Sequence, residues 1–344
     1  MAEPHRVLSP FADGPVLAIE TSCDETSAAV VQGLSVRSNV VASQADLHRK
    51  WGGVVPEAAA RAHVEAIVPV IDEALAAAGV CLEDIRAVAV TNRPGLVGAL
   101  SVGVTAAKGL AFARQIPLIG VHHLEGHILS PLAEFPDLDF PHVCLLVSGG
   151  HTEVIEVAAP GRYQILGSTR DDAAGEAFDK GARLLGLGYP GGKAIQDAAE
   201  TGRPGRYRLP RALKGEGSFD MSFSGLKTAV LRLVESEQDR IDVPGAAAEL
   251  QAAIVDVLVD RGVRAVESAG VAALTLVGGV AANRSLRERL AVEAERRGWR
   301  FYTPSLSMCT DNAAMIGIAG SLRLGAGERS GFDLDTLAND DLPR

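Results

Sequence analysis

At 344 residues, with 47% hydrophobic and 22% charged residues, the chain exceeds an ordinary single core and has apolar material for two domains or one duplicated unit. A formal net charge of -10 excludes a broad cationic surface, so any nucleic-acid contact has to be local or shared with a partner. The four cysteines, Cys23, Cys81, Cys144 and Cys309, stand without CxxC spacing, which excludes a zinc ribbon or disulfide framework and suits a reducing compartment.

Residues 1–15 carry neither a basic leader region nor an apolar run, and no later stretch reaches membrane-spanning length without polar interruption. A cytoplasmic protein with no membrane part is expected. PVLAIETS (15–22) is a β-branched apolar run that ends in polar residues, and SAAVVQG and LSVRSNVVAS follow; together they predict a meander of three strands. Pro56 stands at a helix start, and apolar residues recur at helical period to a stop at Gly79. AVAVTN is the next strand and VGALSVGVTAAKGLAFAR the next helix, a βββαβα run before the strand PLIGVH.

Past the proline-bounded loop FPDLDFP (135–141) the pattern begins again: HVCLLVSGG is a buried strand, TEVIEVA its hairpin partner and YQILGST a third strand. A long helix through LQAAIVDVLVDRGVRAVESAG, the strand ALTLVGGV, a helix from Asn283 and a last helix after Asp311 complete it. The repeat of strand, polar turn and antiparallel partner predicts an internal duplication. The expected organisation is an α/β chain with an N-terminal lobe over 1–135 and a C-terminal lobe over 141–325. A mainly helical insertion at about 171–244 interrupts the second lobe, and 326–344 is expected to be a fraying polar tail.

Three turns carry chemistry: ETSCDETS (20–27), SGGHTE (148–153) and GGVAANRS (278–285). Singly, each is a turn with glycine for positive φ and Ser, Thr or Asp for local caps. Together, at matched positions in both halves, they form a set of loops able to cradle a phosphoryl group, the third by entering a helix N-terminus. This ordering resembles that of the actin, Hsp70 and sugar-kinase superfamily, in which the nucleotide sits between two duplicated α/β lobes.

VHHLEGHILS (121–130) holds three histidines and a glutamate. His123 and His127 keep the i, i+4 spacing that aims two imidazoles at one point, but Leu124 stands where the HExxH general base of a zinc protease belongs. Glu125, two residues after His123, projects about 200 degrees around the helix, so it reads as an exposed or supporting group, and His122 points off the shared face. Asp311, read as capping the last helix and followed by small residues, is the best third ligand. A two-histidine, one-carboxylate set with open positions suits iron or zinc. One basic stretch stands out in the acidic chain: Arg203, Arg206, Arg208, Arg211 and Lys214 around Tyr207. It is either a solvated loop or a local phosphate-backbone contact.

ETSCDETSAAVV, QADLHRKWGGVVPEAAARAHVE, RPGLVGALSVGVTAAKGLA, HHLEGH, LVSGGHTE, DDAAGEAFDKGARLLGLGYPGG, FSGLKTA, GGVAANRSLR and CTDNAAMI follow in order along nearly the whole chain. In these motifs it resembles the bacterial TsaD (Gcp) family, the tRNA N6-adenosine threonylcarbamoyltransferases. The resemblance implies a cytosolic enzyme that passes the threonylcarbamoyl group of threonylcarbamoyl-AMP to N6 of the adenosine beside the anticodon in tRNAs reading codons that start with A, releasing AMP. It implies one divalent metal ion, Fe2+ before Zn2+, on His123, His127 and Asp311. Substrate contacts fall on Leu146, Val147, Ser148, Gly149, Gly150, Asp179, Gly192 and Asn283. Where some relatives carry an aspartate, this chain has Gln196. Implied partners are tRNA, an inactive TsaB-like paralogue and a small TsaE-like ATPase, with the small-residue helix VGALSVGVTAAKGLA a candidate for the paralogue contact. Asp24 and Glu25 are candidates for the general base that a poor amine nucleophile needs. The competing readings are a metal-dependent glycoprotease and a non-catalytic nucleotide-binding scaffold of the same fold.

Overall fold

The computed structural model describes residues 12–213 and 217–342; Lys214 of the basic stretch lies outside them. The chain divides into two compact units. The first holds β1 (Val16–Glu20), β2 (Glu25–Gln32), β3 (Ser35–Ser43), β4 (Ala87–Arg93) and β5 (Leu118–His122), in sheet order β3-β2-β1-β4-β5. The meander β1-β2-β3 is antiparallel, and β4 runs parallel to both β1 and β5. Its helices are α1 (Ala45–Arg49), α2 (Pro56–Ala78), α3 (Val97–Arg114), α4 (His123–Leu129) and, from the far end of the chain, α11 (Ala313–Gly325).

Successive strand residues point to opposite faces of a sheet, and here both faces are covered. Leu17, Ile19, Val88 and Val90 join Ile67, Val70 and Ile71 of α2 and Val104 of α3 in one apolar cluster. The alternate residues Ala18, Val31 and Ala89 meet Gly317 and Gly320 of α11, so closely that a Cβ on Gly320 would fall 2.6 Å from that of Ala89. Small residues on both sides thus let α11 lie on the sheet. Pro56 opens α2, and Gly79 ends it at φ 66.

The second unit holds β6 (His142–Val147), β7 (Thr152–Ala159), β8 (Arg162–Ser168), β9 (Ala273–Val277) and β10 (Arg300–Tyr302), in order β10-β9-β6-β7-β8. Each sheet therefore has its first strand in the centre, the next two to one side and the last two to the other. β6 is antiparallel to β7 and parallel to β9, which is parallel to β10. The helices are α5 (Ala174–Leu184), α6 (Gly191–Ala199), α7 (Ser224–Glu237), α8 (Val243–Ala269), α9 (Arg284–Arg297) and α10 (Leu306–Cys309). The first three lie within the expected insertion. No helix among the described residues is long and apolar enough to cross a membrane.

Three features depart from the sequence reading. The segment from Thr310, α11 included, belongs to the first unit, together with Ala159–Tyr163, rather than to a second lobe running to 325. The three-residue strand β10 is too short to announce itself by periodicity. The described part of the tail is tied down: Ser330 N donates to Leu118 O at 2.8 Å, Leu337 N to Asn92 O at 3.0 Å, and Arg93 Nε pairs with Asp340 Oδ2 at 2.6 Å. It lies beside β5, whose outer edge would otherwise expose unpaired backbone groups.

Candidate active site

In the first unit the parallel strands β1, β4 and β5 end together, the place where open α/β sheets carry their chemistry. β5 passes without a loop into α4, where the Nδ1 of His122 accepts the Leu124 N–H at 3.2 Å as the helix N-cap. His122 Nε2 faces Asp340 O at 3.3 Å, and burial pushes the imidazole down to about 4. His122 is thus a structural cap. One turn of α4 sets His123 and His127 on the same face, ring centroids 4.8 Å apart. Asp311 is not the cap of α11; Asn312 is, its side chain accepting the Met315 N–H at 3.1 Å. The Asp311 carboxylate turns instead to the histidines, Oδ1 lying 3.1 Å from His127 Nε2 and 3.6 Å from His123 Nε2.

One ligand atom from each of His123, His127 and Asp311 lies within 4.8 Å of the others. Both histidines are buried, while the Asp311 side chain keeps 25% of its exposure. Glu20, at the end of β1, is fully buried beside them, 3.1 Å from His123 Nδ1. Burial alone would raise the Glu20 pKa, but the charge and hydrogen bond of His123 hold it below the usual carboxylate range. In His123 burial opposes the charged form, but Glu20 and Asp311 overcome it and lift the imidazole to about 9. Two imidazole nitrogens and a carboxylate facing one point, with an acceptor behind the first ring, fit a divalent ion. Sequence reading missed Glu20 as a contributor; the signal was an acidic residue ending the otherwise apolar strand VLAIE.

Glu125 is buried rather than exposed. Tyr163 Oη donates to its Oε1 at 3.0 Å, and Arg323 Nη1 lies 3.5 Å from its Oε2. Its carboxylate thus serves a buried network, not the general-base position of a zinc protease. Of the two proposed bases, Glu25 opens β2 and its Oε1 accepts from Ser43 Oγ at 2.9 Å, while its Oε2 is buried without a hydrogen-bond partner. Burial pushes Glu25 up to about 7, with Asp24 and Asp311 adding to the rise against the Ser43 bond. Asp24 is half-buried, and its backbone carbonyl accepts the Gln44 N–H at 3.0 Å.

The second unit builds with backbone. Leu146 and Val147 end β6 fully buried, and Ser148 closes the turn, its N–H donating to His151 O at 2.8 Å and its Oγ accepting the His151 N–H at 3.1 Å. Gly149 and Gly150 are exposed, with open space where a Cβ would stand. Gly175 at the start of α5 donates to Ser148 O at 3.2 Å, an approach that a Cβ, 2.6 Å from that oxygen, would prevent. Gly278 sits at φ 90 against the Val147 carbonyl, a position only glycine fills without strain. A short 3-10 turn, Gly279–Ala282, then separates β9 from α9.

The α9 N-terminus is less open than its sequence suggests. Asn283 Oδ1 accepts the Leu286 N–H at 3.0 Å and its Nδ2 donates to Gln251 at 2.8 Å, while Gln196 Oε1 takes the Arg284 N–H at 2.8 Å. Asp179 Oδ1 accepts the Gly191 N–H at 2.7 Å, capping α6 where Pro190 offers no side-chain cap; Gly192 follows, half-buried. In the basic stretch Arg211 pairs with Glu249 and Asp256, and Arg206 with Asp242. Arg203 and Arg208 are exposed.

Two α/β units of the same strand order, each with a polar turn after its central strand, give the chain the fold type of the actin, Hsp70 and sugar-kinase proteins. Full-length HypF in its phosphate- and nucleotide-bound form matches with a TM-score of 0.60 at 15% identity over 93% of this chain; the match spans 47% of HypF, about half its length. The activator of the 2-hydroxyisocaproyl-CoA dehydratase from Clostridium difficile, with bound ADPNP, matches at 0.54 and 13% identity, over 91% of this chain and 96% of that one. At such identities the likeness is one of fold. Residues 35–318 match the family described as TsaD: tRNA N6-adenosine threonylcarbamoyltransferase. A protein of that name from Symbiobacterium thermophilum is 55% identical over 95% of this chain and 96% of its own, and one from Acaryochloris marina 54% identical over 94% and 92%. The chain belongs to the TsaD family.

Proposed function

We propose that this transferase takes the threonylcarbamoyl group from threonylcarbamoyl-AMP and places it on N6 of the adenosine beside the anticodon, in tRNAs that read codons starting with A. The N6 lone pair attacks the carbamoyl carbon, the bond from that carbon to the AMP phosphate oxygen breaks, and AMP departs with the electron pair. The N6 proton passes to a base. Glu25 takes that role better than Asp24, because burial pushes its carboxyl up to about 7 and its Oε2 is buried without a hydrogen-bond partner. His123, His127 and Asp311 would hold a divalent ion, Fe2+ before Zn2+, which when bound would supply Lewis-acid polarisation of the carbamoyl oxygen.

Leu146, Val147, Ser148, Gly149 and Gly150 form the backbone cradle for the nucleotide part, and Gly192 is a further substrate contact. Asp179 and Asn283 support it through the helix caps they make. Binding the leaving group this way fixes the reacting carbon and converts an encounter into an oriented displacement. The enzyme acts in the cytoplasm. The net charge of -10 supports shared tRNA binding with a TsaB-like paralogue and a TsaE-like ATPase, and exposed Val97 and Phe112 on α3 support that helix as the paralogue contact.

The observation that carries this reading is the convergence of His123, His127 and Asp311 in a chain of this family. Transfer of labelled threonine from threonylcarbamoyl-AMP to unmodified tRNA, with partner subunits present, tests it. Asp311→Ala is expected to lose about 10²–10³ in rate, the scale of removing one oxyanion stabiliser. Equal rates for wild type and variant would contradict the metal role.

A further inference from the structure

Glu20 stands where the strand VLAI would more cheaply end in another apolar residue, since a buried carboxylate without partners costs several kcal/mol or more. It is fully buried, and each oxygen is engaged. Oε1 accepts the Ser22 N–H at 2.5 Å; Oε2 accepts the Thr91 hydroxyl at 2.5 Å and lies 3.1 Å from His123 Nδ1. Ser22 Oγ is also 3.2 Å from that nitrogen. Glu20 ends β1, Thr91 lies in β4 and His123 follows β5, so one carboxylate ties together the ends of three adjacent parallel strands. The two histidines differ sharply in this respect. His127 Nδ1 is buried with no hydrogen-bond partner.

We propose that Glu20 is a positioning residue for the metal centre: it holds the proton of His123 on Nδ1, so that Nε2 presents its lone pair beside Asp311, and it raises the basicity of that nitrogen. A carboxylate behind a ligand imidazole is a general means of fixing its tautomer and ring plane. His123 is the anchored ligand, locked to the sheet through Glu20. His127 faces Asp311 through Nε2 but has no such carboxylate behind its ring, its Nδ1 being buried without a hydrogen-bond partner. The inference rests on the metal reading and deepens it.

The test uses the full chain and Zn2+ as probe. Competition against a chromophoric chelator gives the affinity of wild type, Glu20→Gln and Asp311→Ala, and nitrogen-15 histidine NMR of the Zn2+-loaded protein gives the tautomers. Glu20→Gln is expected to bind about 10–100-fold more weakly. In wild type, His123 is expected to show ligation at Nε2 and a downfield Nδ1 proton, which moves upfield in Glu20→Gln while the His127 signals stay. A loss of packing alone would not move that proton selectively. Wild-type affinity in Glu20→Gln, or ligation of wild-type His123 through Nδ1, overturns the role of Glu20. Wild type binding no more tightly than Asp311→Ala overturns the metal reading and the inference with it. Should Glu20→Gln fail to fold, the wild-type spectrum decides.

Discussion

The two units share a strand order but equip the end of the central strand differently. At the ends of its parallel strands the first unit places titratable side chains: buried Glu20 on His123, with buried His127 and half-buried Asp311 beside them. After β6, the second unit places almost none, relying on Ser148, exposed Gly149 and Gly150 and the close approach of Gly278 to Val147. A buried carboxylate and imidazole set suits a cation, while open backbone turns suit phosphate oxygens. One strand order thus carries titratable side chains in the first unit and open backbone turns in the second. Side-chain substitutions in the first unit should therefore remove chemistry, and backbone substitutions in the second should weaken nucleotide binding.

The largest effect is expected from Glu25→Gln, about 10²–10⁴ in kcat for loss of a general base. With its carboxyl pushed up to about 7 by burial, only the deprotonated form accepts the N6 proton, so wild-type kcat should rise with pH through that value. The variant should lose this limb; a retained limb near 7 would reassign the base. His127→Ala should abolish metal retention and cost about 10²–10³ in transfer rate, with the KM for the donor little changed, as elemental analysis and steady-state kinetics would show.

Gly278→Ala is the complementary break. Its positive φ and the neighbouring Val147 carbonyl should cost about 1–3 kcal/mol of backbone strain. Thermal unfolding would register that loss, and the KM for the donor should rise while metal content stays at the wild-type level. Unchanged donor binding would mean that the second-unit turn does not serve the nucleotide. The smallest effect is expected from Arg93→Ala, which removes a half-exposed pair with Asp340. Stability should fall by about 0–1 kcal/mol, and limited proteolysis should trim the tail faster.

Much of this was legible in the sequence. Period-two and period-3.6 patterns announced the long strands and helices, and the i, i+4 histidines with CTDN pointed to the cluster of His123, His127 and Asp311, because regular elements convert spacing directly into direction. What stayed hidden depended on tertiary partners. The cap of α11 passed to Asn312 because Asp311 had histidines to face. Glu125, placed by spacing on an outward face, was covered by Tyr163 and Arg323. The polar tail found an edge strand to lie beside, and the inviting α9 N-terminus was partly filled by Gln196 and Asn283. Glu20 was visible as an odd residue, but only pairing of β1 with β4 and β4 with β5 brings it to His123.

The central claim is that the first unit is a metal centre on which transfer depends. Elemental analysis of anaerobically purified wild type and Asp311→Ala, on the same samples used for threonylcarbamoyl transfer, tests it most directly. Wild type should carry about one divalent ion per chain and be active, and the variant should carry none and transfer about 10²–10³-fold more slowly. An active wild type without metal, or a variant that keeps both metal and activity, would contradict the account.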